Sequence, residues 1–245
     1  MKKYVGLFFV SLLLLTACFR SQTAIDTNQP INGRVVFGIS DAATEMNGVS
    51  SMTMTVDKVQ VYNQASGWVT VSSQPKDYDL LKLKAEGKSQ VMADTKIPRG
   101  SYDKVKLTIS KVVVTNSNGT YEAKMPSSEF RTDSRIDVDA KSTSTASFDF
   151  MADQSLHLAS DGQYVVAPVA KVETRYNSNV DVDSSGYLSI TGGTVQSSST
   201  IGMDINGNVG VGLGIASDAN ISINGGVISI GNAQANSTTG IGVTI

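Results

Sequence analysis

The chain has 245 residues, of which 17% are charged, with a formal net charge of −2. No run of Lys and Arg builds the basic patch that tracks nucleic-acid phosphates, so nucleic acid is not an expected partner. A single histidine and a single cysteine leave little for zinc or nucleophilic chemistry, and no G-x-S-x-G nucleophile elbow occurs.

At the N-terminus, Met1-Lys2-Lys3 precedes an apolar run from Val5 to Leu15, and Thr16-Ala17-Cys18 follows. A cationic start, a short apolar segment and small residues at a cut form the layout of a secretory signal. The run has 11 residues, where a permanent bilayer-spanning helix needs about 20. Leu15-Thr16-Ala17-Cys18 resembles the bacterial lipobox, which implies diacylglycerol on Cys18 and cleavage before it. Residues 1–17 are thus expected to be a lipoprotein signal peptide and residues 18–32 a polar, lipidated tether. No second cysteine competes for the Cys18 thiol. Two acyl chains, at about 0.8 kcal/mol per buried methylene, make a stable anchor. The expected partner is the membrane and the expected address is the cell envelope. Phe19, rather than Asp, follows the cysteine, which by resemblance to sorted lipoproteins implies the outer membrane in a host with two membranes.

From Gly33 to about Tyr176 apolar residues alternate with polar ones, the period of half-buried strands. Arg34–Ile39 is the first expected strand. Met52, Met54 and Val56 alternate, then Val59 and Val61 continue one residue out of phase, which a bulge or a bend near Asp57-Lys58 explains. Trp68–Val71 and Tyr78–Leu83 read as short strands. Pro98-Arg99-Gly100 turns into a long strand carrying Val105, Leu107 and Ile109, with a second phase shift before Val112 and Val114. Asn118-Gly119 marks a hairpin. Ile136–Phe150 and Tyr164–Val172 complete the set. No helical stripe stands out beyond the signal. The pattern predicts an all-β fold: an antiparallel β-sandwich, immunoglobulin-like or transthyretin-like, over residues 33–176.

Composition changes after Arg175: no Lys, Arg, Glu or His follows. Residues 177–186 read as a linker and 187–245 as a Gly/Asn-rich β-repeat extension separate from the sandwich. Its copies are Ile190–Val195, Ile205–Gly210 and Ile223–Ile228, spaced by 15 and 18 residues. Ile205-Asn206-Gly207-Asn208-Val209-Gly210-Val211-Gly212 is similar to Gly/Asn repeats of phage tail fibres and surface adhesins. Short uncharged strands need a partner surface, so self-assembly or docking of a protein partner is expected through residues 187–245. A low-complexity tail is the alternative.

Several landmarks fall in order along the alternating block: Ser40-Asp41-Ala42, Gly67-Trp68-Val69, Tyr78–Leu83, Ile97–Tyr102 running into Val105-Lys106-Leu107, Phe148-Asp149-Phe150, Ser155-Leu156, Tyr164 and Pro168-Val169. Together they resemble domain-of-unknown-function family 4382, a lipoprotein family, over residues 33–174. The resemblance implies a lipid-anchored β-sandwich and carries no catalytic residue with it. Ala43 stands where the family pattern has proline, so the first turn is expected to differ.

Candidate chemistry is sparse. Asp181-Val182-Asp183-Ser184-Ser185-Gly186 resembles the start of a calcium loop, with oxygens from Asp181, Asp183 and Ser185 and Gly at the sixth place. Gly192 occupies the twelfth place, where a bidentate Glu is required, and a polar turn is the plainer reading. No other cofactor is expected. Asp137 and Asp139, with Asp133, Asp149 and Asp153, could form an acidic patch, and paired carboxylates can hydrolyse glycosides; a solvated outer face is the simpler account. Trp68, with Tyr62, Tyr78 and Tyr102 near it among the landmarks, could stack on sugars or fill the core, and the core is expected. His157 reads as an ordinary strand residue. The functional expectation is a non-enzymatic binding, structural or assembly module. The alternative is an extracytoplasmic hydrolase or calcium-dependent carbohydrate-binding protein, which would require Trp68 and the aspartates to converge in one concavity.

Overall fold

The computed structural model describes residues 31–44, 46 and 48–231; the expected signal peptide, the Cys18 lipidation site and residues 232–245 lie outside them. The chain enters as β1 (Asn32–Asp41) and the long β2 (Val49–Asn63). Next come β3 (Gly67–Ser72), β4 (Lys76–Asp79), helix α1 (Leu80–Glu86) and β5 (Ser89–Pro98). β6 (Gly100–Asn116), β7 (Gly119–Glu122), β8 (Glu129–Val138) and β9 (Thr143–Phe150) follow. A single turn, α2 (Ala152–Ser155), leads to β10 (Leu156–Leu158) and β11 (Tyr164–Val166). Then come β12 (Val169–Val182), β13 (Tyr187–Met203), β14 (Val209–Val211), β15 (Ile221–Asn224) and β16 (Val227–Ile230).

The expected all-β sandwich forms. One sheet is built on the β2–β6 pair, with β3 and β4 along the outer edge of β2 and β7 and β8 along that of β6. The other runs β12-β9-β1-β5-β13-β14, and β12 also pairs with β13. Five of its strands therefore form a ring, closed where Tyr187 and Leu188 pair with Gln90 and Ser89. Inward-facing Met52, Met54, Leu107, Ile109, Phe130 and Ile136 meet Val35, Phe37, Ile39, Phe148 and Phe150 of the facing sheet. Phe130 and Phe150 touch across the interface with ring centroids 5.8 Å apart. Each fully buried side chain of this size contributes about 1.5–3 kcal/mol. Both phase shifts are bulges, and they oppose one another: Thr55 pairs with Lys111, Val56 with Ile109 and Lys58 with Thr108, which leaves Asp57 and Ser110 unpaired.

Several expectations are corrected. Tyr78–Leu83 is not one strand; it is the end of β4 followed by α1. Asp79 caps the helix by accepting from the Lys82 N–H at 3.2 Å, and Gly87 ends it in the left-handed region at φ 59°. Leu80 and Leu83, three apart, face the core. The sheets are not wholly antiparallel: β1 and β9 run parallel, from Arg34↔Thr143 to Asp41↔Phe150. The alternation that reveals a strand is the same in either direction, so it carries no sign of this. Ile136–Phe150 divides between the sheets, with β8 in one and β9 in the other. The Asn118-Gly119 hairpin is present, but Asn116 pairs with Gly119, so the two turn residues are Ser117 and Asn118. Met54, Leu107, Ile109 and Val166 are buried, whereas Trp68, expected in the core, is only half-buried, as is Leu81.

The largest correction concerns residues 177–203. Residues 177–186 are no linker: they contain the end of β12 and a tight turn. Residues 187–203 are no separate extension: β13 pairs with β12 from Val182↔Leu188 to Val169↔Gly202. Ile201 and Met203 lie in the core. The loss of charge after Arg175 falls inside β12, which continues to Val182 and pairs with β13, so it marks no domain boundary. The first repeat copy is a kink within β13, where Gly192 and Gly193 take φ 64° and 74°. The second is the β13–β14 turn and the third the β15–β16 hairpin.

Candidate functional site

The landmark residues of β1, β9, α2 and β12 meet at one end of the ringed sheet, where the parallel strands β1 and β9 finish side by side. The Ser40 hydroxyl donates to Asp149 Oδ1 at 2.7 Å, and the Ala42 N–H donates to the Phe150 carbonyl at 2.7 Å. Asp41 is 6% exposed. Its Oδ1 accepts from the backbone N–H of Ala152 at 3.0 Å and of Ala43 at 3.3 Å. Proline at position 43 would remove the second of these bonds, so alanine there changes the turn chemically as well as sterically. The Ser155 hydroxyl donates to the Met151 carbonyl at 2.7 Å and accepts from the Val169 N–H at 2.9 Å. These residues join four chain segments through buried and part-buried polar bonds, and loss of a buried one would strand its partner.

Burial pushes the Asp41 carboxyl up to about 6; the Ala152 and Ala43 N–H groups oppose the rise, while Asp149 and Asp153 add to it. Asp41 Oδ2 has no partner, and neither has Asp153 Oδ1. Asp153 Oδ2 accepts from the Thr44 hydroxyl at 2.7 Å.

Beyond α2 lies a cleft of about 560 Å³ whose walls include Asp153, Leu156, His157, Val169, Ile215 and Ser217. His157 stands in β10 opposite Val165, as the strand reading expects, but it is 8% exposed. Burial lowers its pKa, opposed by a bond to the Gln154 backbone. Its Nε2 has no partner.

The residues singled out in the sequence do not gather. Asp183 sits in the β12–β13 turn, where its Oδ1 accepts from the N–H groups of Ser185 at 2.8 Å and Tyr187 at 2.9 Å. Asp181 lies on β12 opposite Ser189, and Ser185 takes part in that turn through its backbone. Asp204 repeats the same turn one hairpin later, accepting from Asn206 and Asn208, both at 2.9 Å. The calcium-like spacing is thus shared with a plain Asp-x-x-Gly turn whose glycines take φ 80° at both Gly186 and Gly207. Among the described residues, no three of His, Cys, Asp and Glu are placed to hold a metal ion.

Asp133 pairs with Lys104 at 2.7 Å, and Asp137 pairs with Arg135 at 3.0 Å and accepts from Gln196 Nε2 at 2.6 Å. Asp139 is exposed in the loop after β8, while Asp149 and Asp153 belong to the strand-end cluster. Trp68 lies on the outer face of the β2–β6 sheet. Tyr62 tilts against it at 5.4 Å, and Lys106 Nζ sits 4.7 Å from its ring centroid. Tyr78 and Tyr102 are core residues. Sequence reading missed the strand-end cluster as a site. Its one legible signal was that Ser40-Asp41-Ala42 and Phe148-Asp149-Phe150 both place an aspartate in an otherwise apolar strand end.

The architecture defines a class, the all-β sandwich domain, and in this chain the landmark residues at the strand ends form polar junctions between strands. Within that class, residues 32–168 match the family described as Domain of unknown function (DUF4382), and the chain belongs to it. Comparison with curated proteins and with solved structures finds no match. The family match ends at Pro168, one residue before β12, so the strands that close the ringed sheet follow the matched segment.

Proposed function

We propose that the chain is an exported lipoprotein, held on a membrane of the cell envelope by lipid on Cys18, whose sandwich acts as a non-enzymatic binding or assembly module. The observation that carries the non-enzymatic reading is dispersal. Trp68, Asp133 and Asp137 lie on separate surface positions with partners of their own, and Asp149 and Asp153 lie at the end of the ringed sheet. The hydrolase and carbohydrate alternatives required these residues to converge. The address is supported by Lys2-Lys3, the apolar run and Leu15-Thr16-Ala17-Cys18, and Phe19 favours the outer membrane where there are two.

Assembly through the C-terminal part narrows to the β15–β16 hairpin. Its Val227 is 67% exposed and Ile230 46%, and no charged residue lies between Asp218 and Ile245. The test has two arms. Cys18→Ser should abolish incorporation of labelled palmitate and release the protein from membranes; unchanged detergent partitioning would refute the anchor. Val227→Lys with Ile230→Lys should convert an oligomeric detergent-solubilised protein to a monomer in sedimentation. A monomeric wild type would refute the assembly role.

A further inference from the structure

We propose that the cleft beside α2 binds a small organic cation, an amine or amidine with an apolar body. Two side-chain atoms in its walls are buried without a partner: Nε2 of His157 and Oδ1 of Asp153. The His157 imidazole already bonds the Gln154 backbone, so its free nitrogen presents a lone pair. Both unpartnered atoms are therefore hydrogen-bond acceptors. A buried acceptor without a donor is costly, and native structures match most of them.

The charge has one sign. Of the residues lining the cleft, Asp153 is the only acidic one, and burial disfavours the charged form of His157; the others are Gln154, Leu156, Leu158, Val169 and the segment Gly214–Ala219 with Asp218 excepted. No Lys or Arg lines it. An anion would meet the Asp153 carboxylate, whose Oδ1 has no donor, whereas a protonated nitrogen offers donors to both acceptors and complements the acidic side chain. Leu156, Val169 and Ile215 supply apolar wall for the rest of the ligand, and about 560 Å³ lies within the range of small-molecule pockets. Both acceptor atoms are closed to solvent, so the proposal includes a turn of the Asp153 carboxylate toward the ligand. The inference stands independently of the membrane anchor.

His157 is the chain's only histidine, so its imidazole resonances need no assignment. The full chain in detergent is titrated with benzamidinium and, separately, with neutral benzamide. Benzamidinium at millimolar concentration should move the imidazole resonances saturably, benzamide should not, and Asp153→Asn should weaken the benzamidinium response at least tenfold. Thermal melting of Asp153→Asn without ligand checks that the variant is folded, and Asp153→Glu, which keeps the charge, provides a second variant. Equal shifts with benzamide, no saturable shift with either compound, or an undiminished response in folded Asp153→Asn would overturn the proposal. So would displacement of benzamidinium by stoichiometric zinc, which would make the pair a metal site.

Discussion

The Ser110 hydroxyl donates to Asp57 Oδ1 across 2.7 Å, and these two residues are the ones that drop out of the β2–β6 ladder. Each strand carries one extra residue at the same level, so the register on either side of the break is unchanged. That is why Met54 and Val61 can both face the core although their phases differ.

Because both groups are exposed, the bond should be modest. Ser110→Ala and Asp57→Ala are each expected to lower stability by about 0.5–1 kcal/mol. The double variant should cost no more than the worse single one, since each removes the same bond. Chemical denaturation of the four proteins measures this; strictly additive losses would show that the two residues act separately.

Asp41 predicts a pH dependence. Its folded carboxyl titrates at about 6, against an ordinary 3.8, so the folded state holds the proton more tightly than the unfolded one. The stabilisation from that proton is full below about 4 and is lost as pH rises through 6. The span of about two units corresponds to roughly 3 kcal/mol. Asp41→Asn keeps the acceptor for Ala43 and Ala152 and cannot ionise. It should melt higher than wild type at neutral pH and at the same temperature near pH 4; a lower melting temperature at neutral pH would contradict the assignment.

The ring closure gives a steric test. A Cβ on Gly38 would lie 2.5 Å from Leu188 Cδ2, the movable end of a side chain, whereas a Cβ on Gly33 would collide with the Asp139 carbonyl oxygen, which is backbone. Gly38→Ala is expected to cost about 1–3 kcal/mol and to be partly rescued by Leu188→Ala. Gly33→Ala should cost more and find no such rescue. Melting temperatures of the three variants decide the order.

Truncation separates the sequence family from the folding unit. A chain ending at Pro168 retains the family match but lacks β12 and β13, so β9 loses its outer neighbour and Phe148 and Phe150 lose cover from Ala170 and Val172. It should show no cooperative unfolding transition. Deleting residues 187–245 should have the same effect. A sharp thermal transition in either would mean that the ring is dispensable.

Strands with strict alternation were legible in the sequence, and so were both phase shifts, of which the one between Val56 and Val59 pointed to a bulge or a bend; that the two irregularities face one another was not legible, because it depends on the β2–β6 register. β5 was missed because its own bulge against β1, between Phe37 and Gly38, puts Met92 and Ala93 side by side in the buried set and breaks the period. Helix α1 was missed although Asp79 and Gly87 bracket it, since its seven residues carry only two core positions. The aspartates of the strand-end cluster were noted, but Ser40 and Asp149 are 109 residues apart and meet only through a parallel pairing that alternation does not encode. The cleft needed the 214–219 segment to be placed over α2, and nothing local in that segment announces it.

The ring has a consequence for timing. β1 at the start of the sandwich is flanked by β9, and the sheet is shut by β13, whose first residues pair with β5 almost a hundred positions earlier. Such distant pairings make folding slow, since the loop entropy is lost before the contacts form. The domain cannot be completed while its last strands are still in the translating or translocating machinery. On the export route proposed above, that delay would keep the chain threadable until it has crossed the membrane, with the sandwich locking only afterwards.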